Sequence, residues 1–174
     1  MFTNSNLLAY LLLSLKQLNL DSLKGVHMNL FEKLKNMTVL LIDDDEWIRD
    51  SLTLFFTGEG CHLLGLATAE EAIEALKQIR YDIVISDYKL PGMNGLEFFR
   101  QMGKSIPNAM KILITAYGSD EMESDALNCG IDDFIQKPLT THALEKSLAN
   151  LIEKHQNRAS NASDEGILGI KRRV

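Results

Sequence analysis

Four short stretches of the chain carry residues that could do chemistry, three closing apolar runs and the fourth a short mixed stretch. Asp43-Asp44-Asp45 follows Val39-Leu40-Leu41-Ile42, Asp87 follows Ile83-Val84-Ile85-Ser86, Thr115 follows Ile112-Leu113-Ile114, and Lys137-Pro138 follows Asp133 to Gln136. Carboxylates gathered in one place repel each other and invite a cation. Oxygen ligands with open positions suit Mg²⁺, which keeps several waters and uses one or two carboxylates with phosphate oxygens. A carboxylate can also be the nucleophile that receives a phosphoryl group, giving an acyl phosphate. A metal and a fixed ammonium would then neutralise the phosphoryl oxygens. A hydroxyl at a strand end could hydrogen-bond the product and report its presence.

That chemistry requires the four stretches to meet, so the elements around them matter. After the first run, a helix fits from Glu46 to Phe56, stopped by Gly58 and Gly60. A weaker strand follows at Leu63 to Leu66. Thr68 can cap a helix from Ala69 to Ile79, with Glu70 and Glu71 favoured in its first turn. Ile83 to Ile85 is the third strand. Pro91-Gly92 marks a turn, and Gly95 to Met102 a short helix. Ile112 to Ile114 is the fourth strand. Ser119 can cap a helix to Asn128, with Gly130 just past its end. Asp133 to Gln136 is a fifth strand, and Thr140 to about His155 a last helix. Strict alternation with continuous apolar strands implies an α/β fold whose parallel sheet is covered on both faces. Five such units suit the flavodoxin-like (βα)5 doubly wound order 2-1-3-4-5. In open parallel sheets, ligands bind outside the carboxyl ends of the strands, which is where all four stretches fall.

Taken together, the motifs resemble the bacterial response-regulator receiver family. The matching text is Val39 to Asp45, Asp82 to Asp87, Leu90-Pro91-Gly92-Met93-Asn94-Gly95, Ile114-Thr115-Ala116 and Lys137-Pro138. Each fragment alone is weak, but all five in this order and spacing are specific. The resemblance covers about Met37 to His155 and implies the five-unit fold already reached. It further implies that Asp87 is the phosphoacceptor and Asp44 a direct Mg²⁺ ligand, with Asp43 its acidic neighbour acting through water. Asp87 and the backbone carbonyl of Lys89 complete the implied metal set. Thr115 matches the switch hydroxyl and Lys137 the lysine that pairs with the acidic pocket. Phe134 falls at the switch aromatic, and Leu139 stands where phenylalanine is common. The family often has a cis peptide before Pro138.

The implied function is a signalling switch. A histidine kinase or a phosphotransfer protein would donate a phosphoryl group to Asp87, with Mg²⁺ as cofactor. Thr115 and Phe134 would then shift an equilibrium towards an active surface around the Ser119–Asn128 helix, the fifth strand and the last helix. The chain would not be an enzyme beyond slow self-phosphorylation and self-dephosphorylation. A downstream protein target and a phosphorylation-dependent homodimer are the further partners this reading allows. Lys89 and Tyr117 border the path of the hydrolytic water in such proteins, and both are large here, so a long-lived phosphoryl group is expected. The runner-up is a haloacid-dehalogenase-like phosphatase, since Asp43-Asp44-Asp45 supplies D-x-D. Against it, Trp47 and Ile48 stand where that family has Thr or Val, and no cap domain is evident. A scaffold that never takes phosphate would leave the acidic pocket, Thr115 and Lys137 without a purpose.

Composition excludes other classes. The chain of 174 residues is 45% hydrophobic and 24% charged, with a net charge of -6. An acidic chain lacks the basic stripe that nucleic-acid binding needs. Cys61 and Cys129 stand apart, and the four histidines are scattered, as expected of reduced thiols in a cytoplasmic protein without a histidine metal site. Asp45 and Glu46 read as first-turn residues, and Asp120, Asp132 and Asp133 as surface or capping groups. Leu7 to Leu15 is apolar but only half the roughly 20 residues of a membrane span. It also lacks the basic flank and cleavage site of a signal peptide. Residues 1–36 read as an N-terminal extension. Either Leu7, Leu11, Leu15 and Leu18 form a short amphipathic helix, or translation starts at Met28 or Met37. Residues 37–157 read as the receiver domain and 158–174 as a flexible, polar tail with no output domain after it.

Overall fold

The computed structural model describes residues 30–116 and 128–170, with side chains to residue 158. Its elements run β1 (Thr38–Ile42), α1 (Glu46–Gly58), β2 (His62–Leu66), α2 (Ala69–Gln78), β3 (Ile83–Asp87), α3 (Gly95–Met102), β4 (Met110–Thr115), β5 (Asp133–Gln136) and α4 (Thr141–Ile170). The five strands form one parallel sheet in the order β2-β1-β3-β4-β5, as the alternation of apolar runs implies. The helix expected from Ser119 to Asn128 lies mostly outside the described residues, as do the N-terminal leucines.

Alternation along each strand divides the core into two layers. Val39, Leu41, Ile83, Ile85, Ile112 and Ile114 face one side, against Leu52 and Phe56 of α1 and Leu144, Leu148, Leu151 and Ile152 of α4. Leu40, Ile42, Val84 and Leu113 face the other, against Ala69 and Ala72 of α2 and Phe98 and Phe99 of α3. The central strands are buried on both faces, which explains why their sequences read as unbroken apolar runs. The helix starts follow local chemistry. Thr68 and Glu71 form a capping box at α2, and Asn94 and Glu97 form another at α3. Thr140 Oγ1 accepts from the Ala143 amide at the start of α4.

Two boundaries differ from those read in the sequence. Residues 30–34 are helical and belong to the core: Leu30, Phe31 and Leu34 are buried among the residues of α1 and α4. The Phe31 ring meets Phe55 and Phe56 edge-on, with centroids 5.4 and 6.5 Å away. Lys33 Nζ reaches Gln156 Oε1 of α4 at 3.1 Å. A domain cut at Met37 would therefore omit three core residues. Nothing local marks this, because three apolar residues at helical spacing have meaning only opposite the phenylalanines that they cover. At the other end, α4 continues through 158–170, which was read as a flexible tail. No proline interrupts this stretch, and weak helix formers such as Ser160 and Asn161 propagate a helix already nucleated by its packed first half.

Candidate functional site

The strand register brings the acidic residues together. Ile42 of β1 pairs with Ser86 of β3, so Asp43 and Asp87, one position further, are next in line on neighbouring strands. Asp87 itself pairs with Ile114 of β4, and Thr115 pairs with Gln136 of β5. Lys137 then follows directly, its amide donating to the Thr115 carbonyl at 2.8 Å. The Lys137–Pro138 peptide is cis. Residues up to 94 positions apart in the chain thus share one edge of the sheet.

Carboxylate oxygens of Asp43, Asp44 and Asp87 lie within 4.8 Å of one another. Asp43 and Asp87 are buried and Asp44 is exposed. Lys137 Nζ donates to Asp87 Oδ2 at 2.7 Å and stands 3.9 Å from Asp43 Oδ2. Thr115 is buried beside them at the end of β4. Asp43 Oδ1 accepts from the Asp45 amide at 2.9 Å, but its buried Oδ2 has no hydrogen-bond partner. An unpartnered buried carboxylate oxygen is costly. Burial raises the Asp43 carboxyl from 3.8 to about 6, with the charges of Asp87 and Asp44 adding to the rise and the Asp45 amide and Lys137 opposing it. For Lys137, burial pulls downward. The hydrogen bond from its ammonium to Asp87 and the charges of Asp43, Asp87 and Asp44 outweigh it, so the ammonium titrates above its ordinary range.

The loop after β3 is shaped around Asp87. A Cβ at Gly95 would lie 2.2 Å from the Asp87 carbonyl oxygen and 2.7 Å from Ser86 Oγ, so only glycine fits there. The Gly95 amide donates to the Tyr88 carbonyl at 3.0 Å, closing the loop. Gly92 takes a φ of 73°, the left-handed turn that the Pro91-Gly92 pair signals. Lys89 lies in this loop with its side chain exposed. Asp45 caps α1 by accepting from the Trp47 amide at 2.9 Å. Asp132 accepts from the Lys111 amide, and Asp133 from Ser147 Oγ, so both have structural partners. Phe134 is half-buried and packs against the α2–α3 layer. Tyr117 lies outside the described residues. Arg49, which sequence reasoning did not single out, donates from Nη1 to the Asp43 carbonyl at 2.7 Å. The available signal was its place one helical turn beyond Asp45.

The acidic cluster, hydroxyl and lysine sit where a doubly wound sheet presents its ligand site. Residues 39–149 match the response regulator receiver domain family. The chain belongs to that family, the receiving component of two-component signalling. The chemotaxis protein CheY of Thermotoga maritima is 35% identical over 111 residues, covering 63% of this chain and 92% of that protein. The C4-dicarboxylate transport transcriptional regulatory protein DctD of Rhizobium meliloti is 34% identical over 138 residues, covering 75% of this chain but 30% of that protein. Among solved structures, a CheY-like response regulator receiver domain protein from Methanospirillum hungatei superposes with a TM-score of 0.66 at 30% identity. That match covers 70% of this chain and 98% of its counterpart. The chain spans about a third of the length of some curated relatives, 30% of DctD and 31% of a cyclic di-GMP phosphodiesterase of Thermotoga maritima. Among the described residues, no helix is long and apolar enough to cross a membrane.

Proposed function

We propose that this chain is a phosphorylation-dependent switch in which Asp87 receives a phosphoryl group from a histidine kinase or a histidine phosphotransfer protein. The observation that carries the reading is the buried Asp87 carboxylate, held at 2.7 Å by Lys137 and flanked by Asp43 and Asp44. An Asp87 carboxylate oxygen attacks phosphorus, the P–N bond of the phosphohistidine breaks, and its electron pair stays on the leaving imidazole. The product is an acyl phosphate. Lys137 is poised to transfer its hydrogen bond from the Asp87 carboxylate to a phosphoryl oxygen, and the Thr115 hydroxyl to engage another. Oxygen-only donors and the unpartnered Asp43 Oδ2 fit Mg²⁺. Asp43, Asp44 and Asp87, with the Lys89 carbonyl, would hold it. When bound, the ion neutralises charge on the phosphoryl oxygens.

On this reading the protein turns over no substrate other than its own phosphoryl group. Engagement of Thr115 and repacking of the half-buried Phe134 bias the surface of β5 and α4 towards a downstream protein or a second copy of the chain. Free Cys61 and Cys129 agree with a cytoplasmic setting.

The test is incubation with Mg²⁺ and acetyl phosphate, followed by intact mass. The wild type gains one phosphoryl group; Asp87→Asn gains none, and omission of Mg²⁺ abolishes the gain. Steady release of inorganic phosphate, with no modified protein at any time, would instead mark a phosphatase and end the switch reading.

A further inference from the structure

Asp43 is held on three sides, and the fourth is left open. Its amide donates to the Leu66 carbonyl of β2 at 3.1 Å. Its Oδ1 accepts from the Asp45 amide at 2.9 Å, and its carbonyl accepts from Arg49 Nη1 at 2.7 Å. Only Oδ2 accepts no hydrogen bond; it is buried, close to the other acidic oxygens, and faces Lys137 Nζ at 3.9 Å. A hydrogen bond from an ionised donor at this length is among the stronger ones available.

The position of Arg49 is itself well determined. Its amide donates to the Asp45 carbonyl at 3.1 Å, one turn into α1. Its stem lies over Gly65 of β2, where a Cβ would meet Arg49 Cβ at 3.5 Å and Cδ at 3.7 Å. Helix and strand together therefore aim the guanidinium at the Asp43 carbonyl. Arg49 makes no ion pair with a carboxylate among the described residues. Its charge lies close to the cluster without occupying any of the oxygens that a cation would use.

We propose that Arg49 is a positioning residue for the divalent-cation site: by gripping the Asp43 carbonyl, it fixes the β1–α1 turn so that Asp43 Oδ2 stays directed at the cation position. The inference rests on the Mg²⁺-assisted reading above. Neutralising the acidic oxygens directly is left to the cation and Lys137. Loss of the grip frees the turn to rotate, and the cation then pays an ordering cost on binding.

The experiment titrates MgCl₂ into the 174-residue chain while following the fluorescence of Trp47. This is the single tryptophan, 58% exposed, and its amide is held by Asp45 beside the cluster. Isothermal titration gives an independent affinity. Arg49→Met keeps the stem over Gly65 and removes the donor; Arg49→Lys keeps a donor. We expect Arg49→Met to weaken Mg²⁺ about 10-fold, within the range for residues that orient metal ligands. Arg49→Lys should recover part of that loss. The metal-free melting temperatures should stay close to wild type, and phosphorylation by acetyl phosphate should return to the wild-type rate at saturating Mg²⁺. Equal Mg²⁺ affinity in wild type and Arg49→Met, with binding abolished in Asp43→Asn, would overturn the inference. So would affinity losses that merely track lost thermal stability in both variants. A wild-type protein that binds no Mg²⁺ by either method would instead overturn the reading on which the inference rests.

Discussion

The two ends of β1 are packed on opposite terms. At its amino end, residues 30–34 lay Leu30, Phe31 and Leu34 on α1 and α4, burying apolar side chains while Glu32 and Lys33 stay out of the core cluster. At its carboxyl end, Asp43 is as deeply buried but keeps an unpartnered oxygen beside two further carboxylates. The first arrangement can only add stability. The second subtracts it in the absence of a cation, and in the proposed switch that deficit favours binding of a cation. Stability and function are thus placed at opposite ends of one strand, in a core whose central strands tolerate both.

The largest effect expected from the comparison is at the amino end. Phe31→Ala or Leu34→Ala should lower the unfolding free energy by about 3 kcal/mol, the usual cost of emptying such a buried position. Urea denaturation measures it. The folded fraction should still accept phosphate from acetyl phosphate at the wild-type rate. A loss of rate without a loss of stability would show that the two ends are coupled.

Asp43→Asn should move stability the other way. The Asp43 carboxyl is raised to about 6, above its ordinary 3.8. A raised acid favours the folded state while it is protonated, below its unfolded value, and the advantage is lost as pH rises through the folded value. Metal-free wild type should therefore lose on the order of 2 kcal/mol between pH 4 and pH 7 from this group. Asp43→Asn should flatten that dependence and unfold at higher urea at pH 7.5. Addition of Mg²⁺ should restore much of the loss in wild type and none in the variant. Thermal melts across this range, with and without Mg²⁺, give the answer; a variant less stable than wild type at pH 7.5 would contradict it.

The smallest expected effect concerns the lifetime of the phosphoryl group proposed on Asp87. Lys89 is exposed in the loop after Asp87, and Tyr117 lies two residues after Thr115. Both are large residues, and in the proposed switch they are expected to slow hydrolysis of the acyl phosphate. A Lys89→Ala, Tyr117→Ala double variant should release its phosphoryl group several-fold faster, on the order of 1 kcal/mol in the barrier. The decay of the phosphorylated mass after donor removal is the measure. Unchanged or slower decay would assign the lifetime to other groups.

Much of the fold was legible because its signals are local and repeated. Unbroken apolar runs at β1, β3 and β4 could only be strands covered on both faces. Thr68 started a helix where the sequence implied, whereas the capping box of Asn94 with Glu97 became visible only in the structure. The meeting of Asp43, Asp44, Asp87 and Lys137 was legible for a related reason: parallel strands send every carboxyl end to the same edge. Arg49 escaped notice because an arginine on a first helical turn has an ordinary role in most helices. Only the approach of the Asp43 carbonyl gives it another. The core place of residues 30–34 was not legible because the resemblance begins at Met37 and these residues lie ahead of it. The helix beyond His155 was missed because its polar composition reads as coil when it is separated from the packed turns that precede it.

By itself the sequence determined which residues end the strands, and therefore which chemical groups reach the carboxyl edge. Periodicity, caps and turn residues act over a few positions, and a parallel sheet converts them into a shared edge without further information. Tertiary structure alone decided which Asp43 oxygen stays unpaired, that Arg49 grips the adjoining carbonyl, and that Phe31 closes over Phe55 and Phe56. Each depends on ångström-scale approach between segments remote in the chain or on opposite sides of a turn. Hydrogen bonds and buried contacts are decided at that scale, and residue order does not encode it locally.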